Sequence, residues 1–144
     1  MRRRRLDPET LLLRLRELGA VLEGHFLLTS GKHSPAFVQC SQLLQHPAEA
    51  ERVGRALAER LRDVGATVVV GPAMGGVILA HEVARALGTR SCFTEKQDGG
   101  QIFRRGFRLS PEDRVVLVED VLTTGGSVLR SAAAVRATGA RVVG

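Results

Sequence analysis

The sequence predicts an α/β domain in which a parallel sheet is flanked by helices. Short apolar runs without alternation, such as 115–118, are typical of strands buried on both faces. Helix-forming stretches with one apolar face lie between these runs, so strands and helices alternate along the chain. This alternation indicates βαβ units, whose ligands bind beyond the carboxyl ends of the strands.

The N-terminal part is predicted to hold one helix and a strand or hairpin. Asp7-Pro8-Glu9 supplies an N-cap, a proline at the first helical position and an acid in the first turn, and Gly19 is a natural stop. From 21 to 38, apolar residues alternate with Gly, Ser and Pro, which favours a short strand or hairpin.

The rest of the chain is predicted to alternate strands with helices. Pro47 opens a helix that closes near Gly65, and Gly88 ends the next one. The segment 95–113 is polar and glycine-bearing, and we predict a long functional or mobile loop there. The expected strands are 67–70, 91–94, 115–118 and 141–143, and the expected helices are 47–64, 77–87 and 128–138.

Length and composition indicate one soluble domain. The chain has 144 residues, of which 44% are hydrophobic and 25% charged. No apolar run approaches the roughly 20 residues that span a bilayer. Cys40 and Cys92 form no Cys-x-x-Cys pair, so we expect a reducing cytoplasm. We predict a single domain at 7–144, with a small N-terminal hood at about 7–45 and an α/β core at about 46–144.

The basic charge is concentrated at the N-terminus. Arg2 to Arg5 supply four of the formal net charge of +6, and aromatic residues make up only 3%. A nucleic-acid site needs a basic folded face with stacking aromatics, so nucleic acid is an unlikely partner. We expect residues 1–6 to be a disordered tail. Because an apparent buried strand directly precedes Gly144, we also expect the sequence to be truncated at its C-terminus.

Residues 115–127 contain the most informative motif. A buried strand ends at two adjacent carboxylates, Glu119 and Asp120, and a loop rich in hydroxyls and glycines leads into a helix. Such a loop binds anions, because glycines let the backbone approach a phosphate and the helix dipole favours negative charge. The acids suit a ligand that carries sugar hydroxyls, a divalent cation or developing positive charge beside its phosphate.

This acid-acid-x-x-Thr-Thr-Gly-Gly-Ser pattern resembles the phosphoribosyl-pyrophosphate (PRPP) motif of the type I phosphoribosyltransferases. The segment 26–37 resembles the N-terminal signature of the orotate phosphoribosyltransferase family. The loop at 71–76, weak alone, then matches that fold's pyrophosphate-contacting loop. The resemblance implies PRPP binding by Lys96, Ala73, Gly75, Glu119, Asp120, Val121, Leu122, Thr123, Thr124, Gly125, Gly126 and Ser127, and orotate binding by Thr123, Lys32 and Phe37.

The resemblance also implies a reaction and an assembly. Orotate and PRPP would give orotidine 5′-monophosphate and pyrophosphate, with Lys96, Glu119 and Asp120 as catalytic residues. Mg²⁺ would be held mainly by PRPP rather than by the protein. The 95–113 segment would be a lid shared across a homodimer. Some family members carry a further lysine and a histidine in this lid; this chain has neither, and whether Arg104 and Arg105 replace them is left open by the sequence. The alternatives are a non-catalytic PRPP-binding regulator and a purine phosphoribosyltransferase.

Overall fold

The computed structural model describes residues 6–144. The expected disordered tail at 1–6 therefore lies outside the described residues, apart from Leu6. The helices are α1 (Pro8–Glu17), α2 (Ser41–Leu44), α3 (Pro47–Leu61), α4 (Gly75–Leu87) and α5 (Gly126–Ala137). The strands are β1 (Val21–Leu27), β2 (His33–Val38), β3 (Val68–Pro72), β4 (Arg90–Gln97), β5 (Gly100–Phe103), β6 (Arg114–Leu117) and β7 (Arg141–Val142). Among these helices, none is long and apolar enough to cross a membrane.

Five strands form the main sheet in the order β5-β4-β3-β6-β7. The β3–β4, β3–β6 and β6–β7 pairs are parallel, and only β4–β5 is antiparallel. The predicted α/β sheet flanked by helices is therefore confirmed. The carboxyl ends of β3 and β6, which are neighbours, lead into α4 and α5 at one edge of the sheet.

Alternation along the central strand builds a core on each face of the sheet. Val69 and Val116 pack with Leu79 and Val83 beneath α3 and α4. Val68 and Val70 pack with Val135 of α5 on the opposite face. Every residue of β3 is buried, and each such valine contributes about 1.5 to 3 kcal/mol of burial. The apolar runs of the sequence thus position the two loops that follow the strands.

The N-terminal residues form a separate two-stranded sheet. The Asp7 carboxylate accepts a hydrogen bond from the Thr10 backbone N–H at 2.8 Å, so it caps α1 as predicted. The hairpin expected within 21–38 is also present, because β1 and β2 pair antiparallel, with a register shift between Glu23 and Phe26. This hairpin forms a hood beside the main sheet.

The predicted long loop at 95–113 is wrong in its first part. β4 continues to Gln97, and β5 pairs back along it after the two residues Asp98 and Gly99. Both of these residues have positive φ angles, 49° and 79°, as a type I′ turn requires. We call β4, this turn and β5 the lid hairpin. The predicted loop at 71–76 is likewise shorter, since β3 includes Pro72 and α4 begins at Gly75.

One buried side chain in the lid hairpin lacks hydrogen-bond partners. Gln101 is 6% exposed, and neither its amide nitrogen nor its amide oxygen is bonded within the described residues. An unpaired buried amide costs about 1 to 3 kcal/mol. We predict that Gln101→Met, which keeps the volume, raises the free energy of unfolding by about 1 kcal/mol in urea denaturation.

The control for this prediction is a buried hydroxyl that is paired. Thr94 Oγ1 and Ser131 Oγ are both buried and lie 2.7 Å apart. Thr94→Val should lower the free energy of unfolding by about 1 kcal/mol or more, because it leaves the Ser131 hydroxyl unpaired. A loss of stability in Gln101→Met similar to that in Thr94→Val would show that the Gln101 amide is bonded.

Candidate active site

A cleft of about 610 Å³ opens at the carboxyl ends of the strands, between the hood, the loop after β6 and the lid hairpin. Its position agrees with the rule that ligands of open α/β sheets bind beyond the strand ends. The lining residues are Leu27, Leu28, Thr29, Ser30, Phe37, Lys96, Glu119, Val121, Leu122, Thr123, Thr124, Gly125, Gly126, Ser127, Val128 and Arg130.

The N-terminus of α5 makes one wall of the cleft suitable for an anion. Gly125 precedes the helix with a φ of 77°, and no side chain of the described residues caps the first turn. The first backbone N–H groups of a helix are unpaired and carry a partial positive charge. Arg130 lines the same wall, 3.5 Å from the Ser127 hydroxyl oxygen. This wall can therefore accept a phosphate group.

Glu119 stands at the end of β6, where it faces this wall. One oxygen of its carboxylate accepts a hydrogen bond from the Asp120 backbone N–H at 3.2 Å. Burial of the carboxyl group and, after it, the neighbouring Asp120 side chain raise the pKa of Glu119 from 4.5 to about 7. A carboxyl with such a pKa is sensitive to a nearby cation or hydroxyl donor.

Asp120 does not line the cleft that Glu119 lines, although its side chain lies close enough to Glu119 to raise the pKa of that group. Its Oδ1 accepts a hydrogen bond from the Val121 backbone N–H at 2.9 Å. A Cβ atom added to Gly75, at the start of α4, would lie only 2.5 Å from the same oxygen. The paired acids therefore stay close to each other, but only Glu119 lines the cleft, while Asp120 lies against Gly75 at the N-terminus of α4.

The loop after β3, predicted at 71–76, lies beside Asp120 rather than in the cleft wall. Ala73 and Gly75, expected from the sequence to contact pyrophosphate, do not line the 610 Å³ cleft. The peptide bond between Ala73 and Met74 is cis. Because Gly75 contacts the Asp120 side chain, the two loops after β3 and β6 meet directly at the strand ends.

The hood contributes one predicted residue to the cleft but not the other. Phe37 lines the cleft and packs on Phe26 with ring centroids 5.8 Å apart. It keeps 38% of its surface exposed, so its ring is open to a ligand in the cleft. Lys32 is exposed at the hairpin end and does not line the cleft.

The lid hairpin brings a single lysine to the cleft. Lys96 is exposed on β4 and lines the cleft of its own chain. Arg105, by contrast, makes two hydrogen bonds of 3.0 Å to the Glu95 carboxylate, and Arg104 bonds to the Gln97 side chain. Neither of these arginines lines the cleft, so in this conformation they hold the hairpin rather than extend toward a ligand.

Sequence reasoning missed part of the cleft. Leu27, Thr29 and Ser30 line it, although the sequence presents them only as a strand end and a turn. Arg130 lies one helical turn after Gly126, and its i, i+4 spacing from the loop was the available signal. Every residue of the 119–127 loop except Asp120 lines the cleft, as the composition of the loop predicts.

A parallel sheet whose strand-end loops join an acid pair to an anion-binding helix N-terminus is the arrangement of a phosphoribosyltransferase. Residues 39–144 match the family described as Phosphoribosyl transferase domain. Among solved structures, the chain is 28% identical to Mycobacterium tuberculosis orotate phosphoribosyltransferase in complex with inorganic phosphate, with a TM-score of 0.73, covering 93% of this chain and 77% of that one. A phosphoribosyltransferase from Corynebacterium diphtheriae gives 29% identity and a TM-score of 0.78, covering 94% and 78%.

Curated relatives narrow the family. The chain is 51% identical over 126 residues to the orotate phosphoribosyltransferase of Desulforamulus reducens, covering 88% of this chain and 66% of that protein. It is 45% identical to that of Caldanaerobacter subterraneus, covering 96% and 73%, and 51% identical to that of Thermus thermophilus, covering 90% and 71%. The chain belongs to the orotate phosphoribosyltransferase family. It spans about two thirds of the length of these relatives.

The raised pKa of Glu119 predicts a pH dependence of stability. A carboxyl whose pKa is higher in the folded than in the unfolded chain stabilises the fold while it is protonated. Its contribution to the free energy of unfolding is therefore complete below pH 4.5 and is lost as the pH rises to about 7. We expect the free energy of unfolding to fall by about 1 kcal/mol over this interval, discounted because water screens a half-exposed group.

Urea denaturation at several pH values measures this effect. Glu119→Gln should remove the decline between pH 4.5 and 7, whereas Glu112→Gln, at an exposed acid, should retain it. The lowered pKa values of Asp7, Glu95 and Asp113 act in a more acidic range, so they do not mask it. An unchanged slope in Glu119→Gln would contradict the assignment.

Proposed function

We propose that this chain transfers the phosphoribosyl group of PRPP to orotate, giving orotidine 5′-monophosphate and pyrophosphate. The observation that carries the proposal is the 610 Å³ cleft, in which the uncapped N-terminus of α5, the Glu119 carboxylate and the Lys96 ammonium face one space. Its walls offer donors for phosphate, an acceptor for sugar hydroxyls and a mobile cation. The relatives are named for the same enzyme class, which favours orotate over a purine base.

The 5′-phosphate would bind at the start of α5. Thr123, Thr124 and Ser127 offer hydroxyl donors, and Gly125 and Gly126 let the backbone N–H groups approach the phosphate oxygens. Val121 and Leu122 of the same loop also line the cleft. Arg130 would add charge on the same wall.

The ribose would lie over the acids. Glu119, facing the cleft, would accept hydrogen bonds from the ribose hydroxyls and complement the positive charge that develops at the anomeric carbon as pyrophosphate leaves. Asp120 would serve the same sugar from the Gly75 side, because the loop after β3 holds its carboxylate in place. Ala73 and Gly75 would present the N-terminus of α4 to the pyrophosphate.

Mg²⁺ fits this site as an ion held mainly by the substrate. Within residues 6–144 no cluster of three or more acidic, His or Cys side chains could hold a metal. Mg²⁺ is commonly bound by one or two carboxylates together with substrate phosphates, and Glu119 and Asp120 supply that number. When bound, it would offset charge on the pyrophosphate oxygens.

Orotate would enter from the hood side. Phe37 offers an aromatic face in the cleft, Thr123 a hydroxyl, and Lys32 a cation at the end of the hood hairpin.

The proposal includes a cytoplasmic homodimer in which the lid hairpin takes part in catalysis. The cysteines agree with a reducing compartment, since Cys40 and Cys92 are both free.

Substitution of the acids tests the ribose contacts. We expect Glu119→Gln and Asp120→Asn to lower kcat by about 100-fold or more, with a smaller change in the KM for PRPP, because the carboxylates matter most in the transition state. Pyrophosphate release with orotate, adenine and hypoxanthine measures activity and base preference. Glu112→Gln, at an exposed acid, should behave as the unchanged chain.

Calorimetry with PRPP and Mg²⁺ separates binding from turnover. Heat of binding without turnover would place a PRPP site in a chain that lacks catalysis. No heat from a folded sample would refute the site, and kinetics unaltered by both acid substitutions would remove the ribose role.

A mixing experiment tests the lid lysine and the dimer. Lys96→Ala should lower kcat by about 100-fold with little change in PRPP affinity, because the cation acts on the leaving pyrophosphate. If the lid hairpin serves the partner subunit, mixing Lys96→Ala with Asp120→Asn chains should restore part of the activity. Lys96 lines the cleft of its own chain, and action there predicts no recovery after confirmed subunit exchange.

A further inference from the structure

Two histidines face each other on the hood, and neither of them lines the 610 Å³ cleft. His25 of β1 and His33 of β2 place Nε2 and Nδ1 2.6 Å apart, with ring centroids 4.7 Å apart. Both side chains are exposed to solvent. The other two histidines are also exposed, but His46 directly precedes α3 and His81 lies in α4.

A β-bulge brings the two rings together. Glu23 pairs with Ala36 and Phe26 pairs with Ser34, so β1 has one more residue than β2 between these positions. The extra residue falls beside His25, and a bulge changes the direction of the side chain next to it. Without the bulge, the pairing of Glu23 with Ala36 would place His25 opposite Ser34, whereas after it His25 lies diagonally across from His33 on one face of the hairpin.

The approach of two ring nitrogens is suited to a metal ion. In the metal-free pair, one nitrogen donates a proton to the other, and the donor can move that proton to its remaining ring nitrogen. Both facing nitrogens are then free to coordinate. A tetrahedral ion with bonds of about 2.0 to 2.1 Å needs the nitrogens about 3.3 Å apart, which exposed side chains reach by small rotations.

We propose that His25 and His33 form a binding site for a divalent transition metal ion such as Zn²⁺ or Cu²⁺. Imidazole is a preferred ligand of these ions, whereas the harder Mg²⁺ prefers oxygen ligands. The described residues offer no third His, Cys, Asp or Glu in a cluster, so water completes the coordination. Two ligands give an affinity far below that of a structural zinc site.

The site would connect metal binding to the shape of the cleft. The bound ion joins β1 to β2 next to the turn that closes the hood hairpin, where the Leu28 N–H bonds to the Lys32 carbonyl at 2.8 Å. Leu28, Thr29 and Ser30 in that turn line the 610 Å³ cleft. A clip between the strands would therefore stiffen one wall of the cleft without adding a ligand to it.

Calorimetric titration of the full chain with ZnCl₂ and with CuCl₂ tests the proposal. We expect one ion per chain, and a loss of affinity of about tenfold or more in both His25→Ala and His33→Ala. His46→Ala and His81→Ala are matched controls that should bind as the unchanged chain. Because all four side chains are exposed, none of these variants should unfold, and circular dichroism checks this.

Hydrogen exchange gives a readout that does not depend on the affinity. Zn²⁺ should slow exchange of the β1 and β2 amides in the unchanged chain and leave it unaltered in His25→Ala/His33→Ala. No saturable binding, loss in only one of the two single variants, or binding retained by the double variant would each overturn the site. None of these measurements uses PRPP, so their outcome is independent of the proposed reaction.

Discussion

The structure depends on a contact between two backbone segments that leaves no room for a Cβ atom. A Cβ on Gly71 would lie 2.3 Å from the Gly76 carbonyl oxygen, and one on Gly76 would lie 2.8 Å from Pro72 Cδ and 2.9 Å from the Val118 carbonyl oxygen. Contacts this short are repulsive, so the end of β3, the start of α4 and the end of β6 fit together only as glycine allows. Through this contact, the loop after β3 reaches Asp120, and the acid pair is fixed relative to both helix N-termini.

The same contact gives two neighbouring carboxylates different environments. Asp120 receives the Val121 N–H and faces the start of α4, where the helix dipole favours its charge. Glu119 faces the cleft, and burial raises its pKa to about 7. A carboxylate whose charge is unfavourable in the cleft is stabilised most by a ligand with hydroxyl donors or a positive centre. Binding of such a ligand therefore relieves the electrostatic cost of burying the Glu119 carboxylate, which the folded chain already carries.

Much of the core followed from sequence because local and tertiary preferences agree there. The valine run at 68–70 is buried on both faces, and the Asp7 cap begins α1 as expected. The lid hairpin differs from the loop that polarity predicts, because the Asp98-Gly99 pair closes a two-residue turn between β4 and β5. The exposure of Phe37 in the cleft and the contact of Asp120 with Gly75 depend on contacts between distant segments, which residue type and spacing do not encode.

The lid hairpin is joined to the sheet through one strand only. β5 pairs with β4 at the edge of the sheet, and its turn is closed by two residues without help from the parallel core. A local hairpin has a small loop-closure entropy, and residues added at its tip cost little more. Insertions or deletions there would leave the register of β3 and β6 untouched. In evolutionary terms, the cover of the cleft can change in length and charge while the scaffold that carries the strand-end loops stays constant.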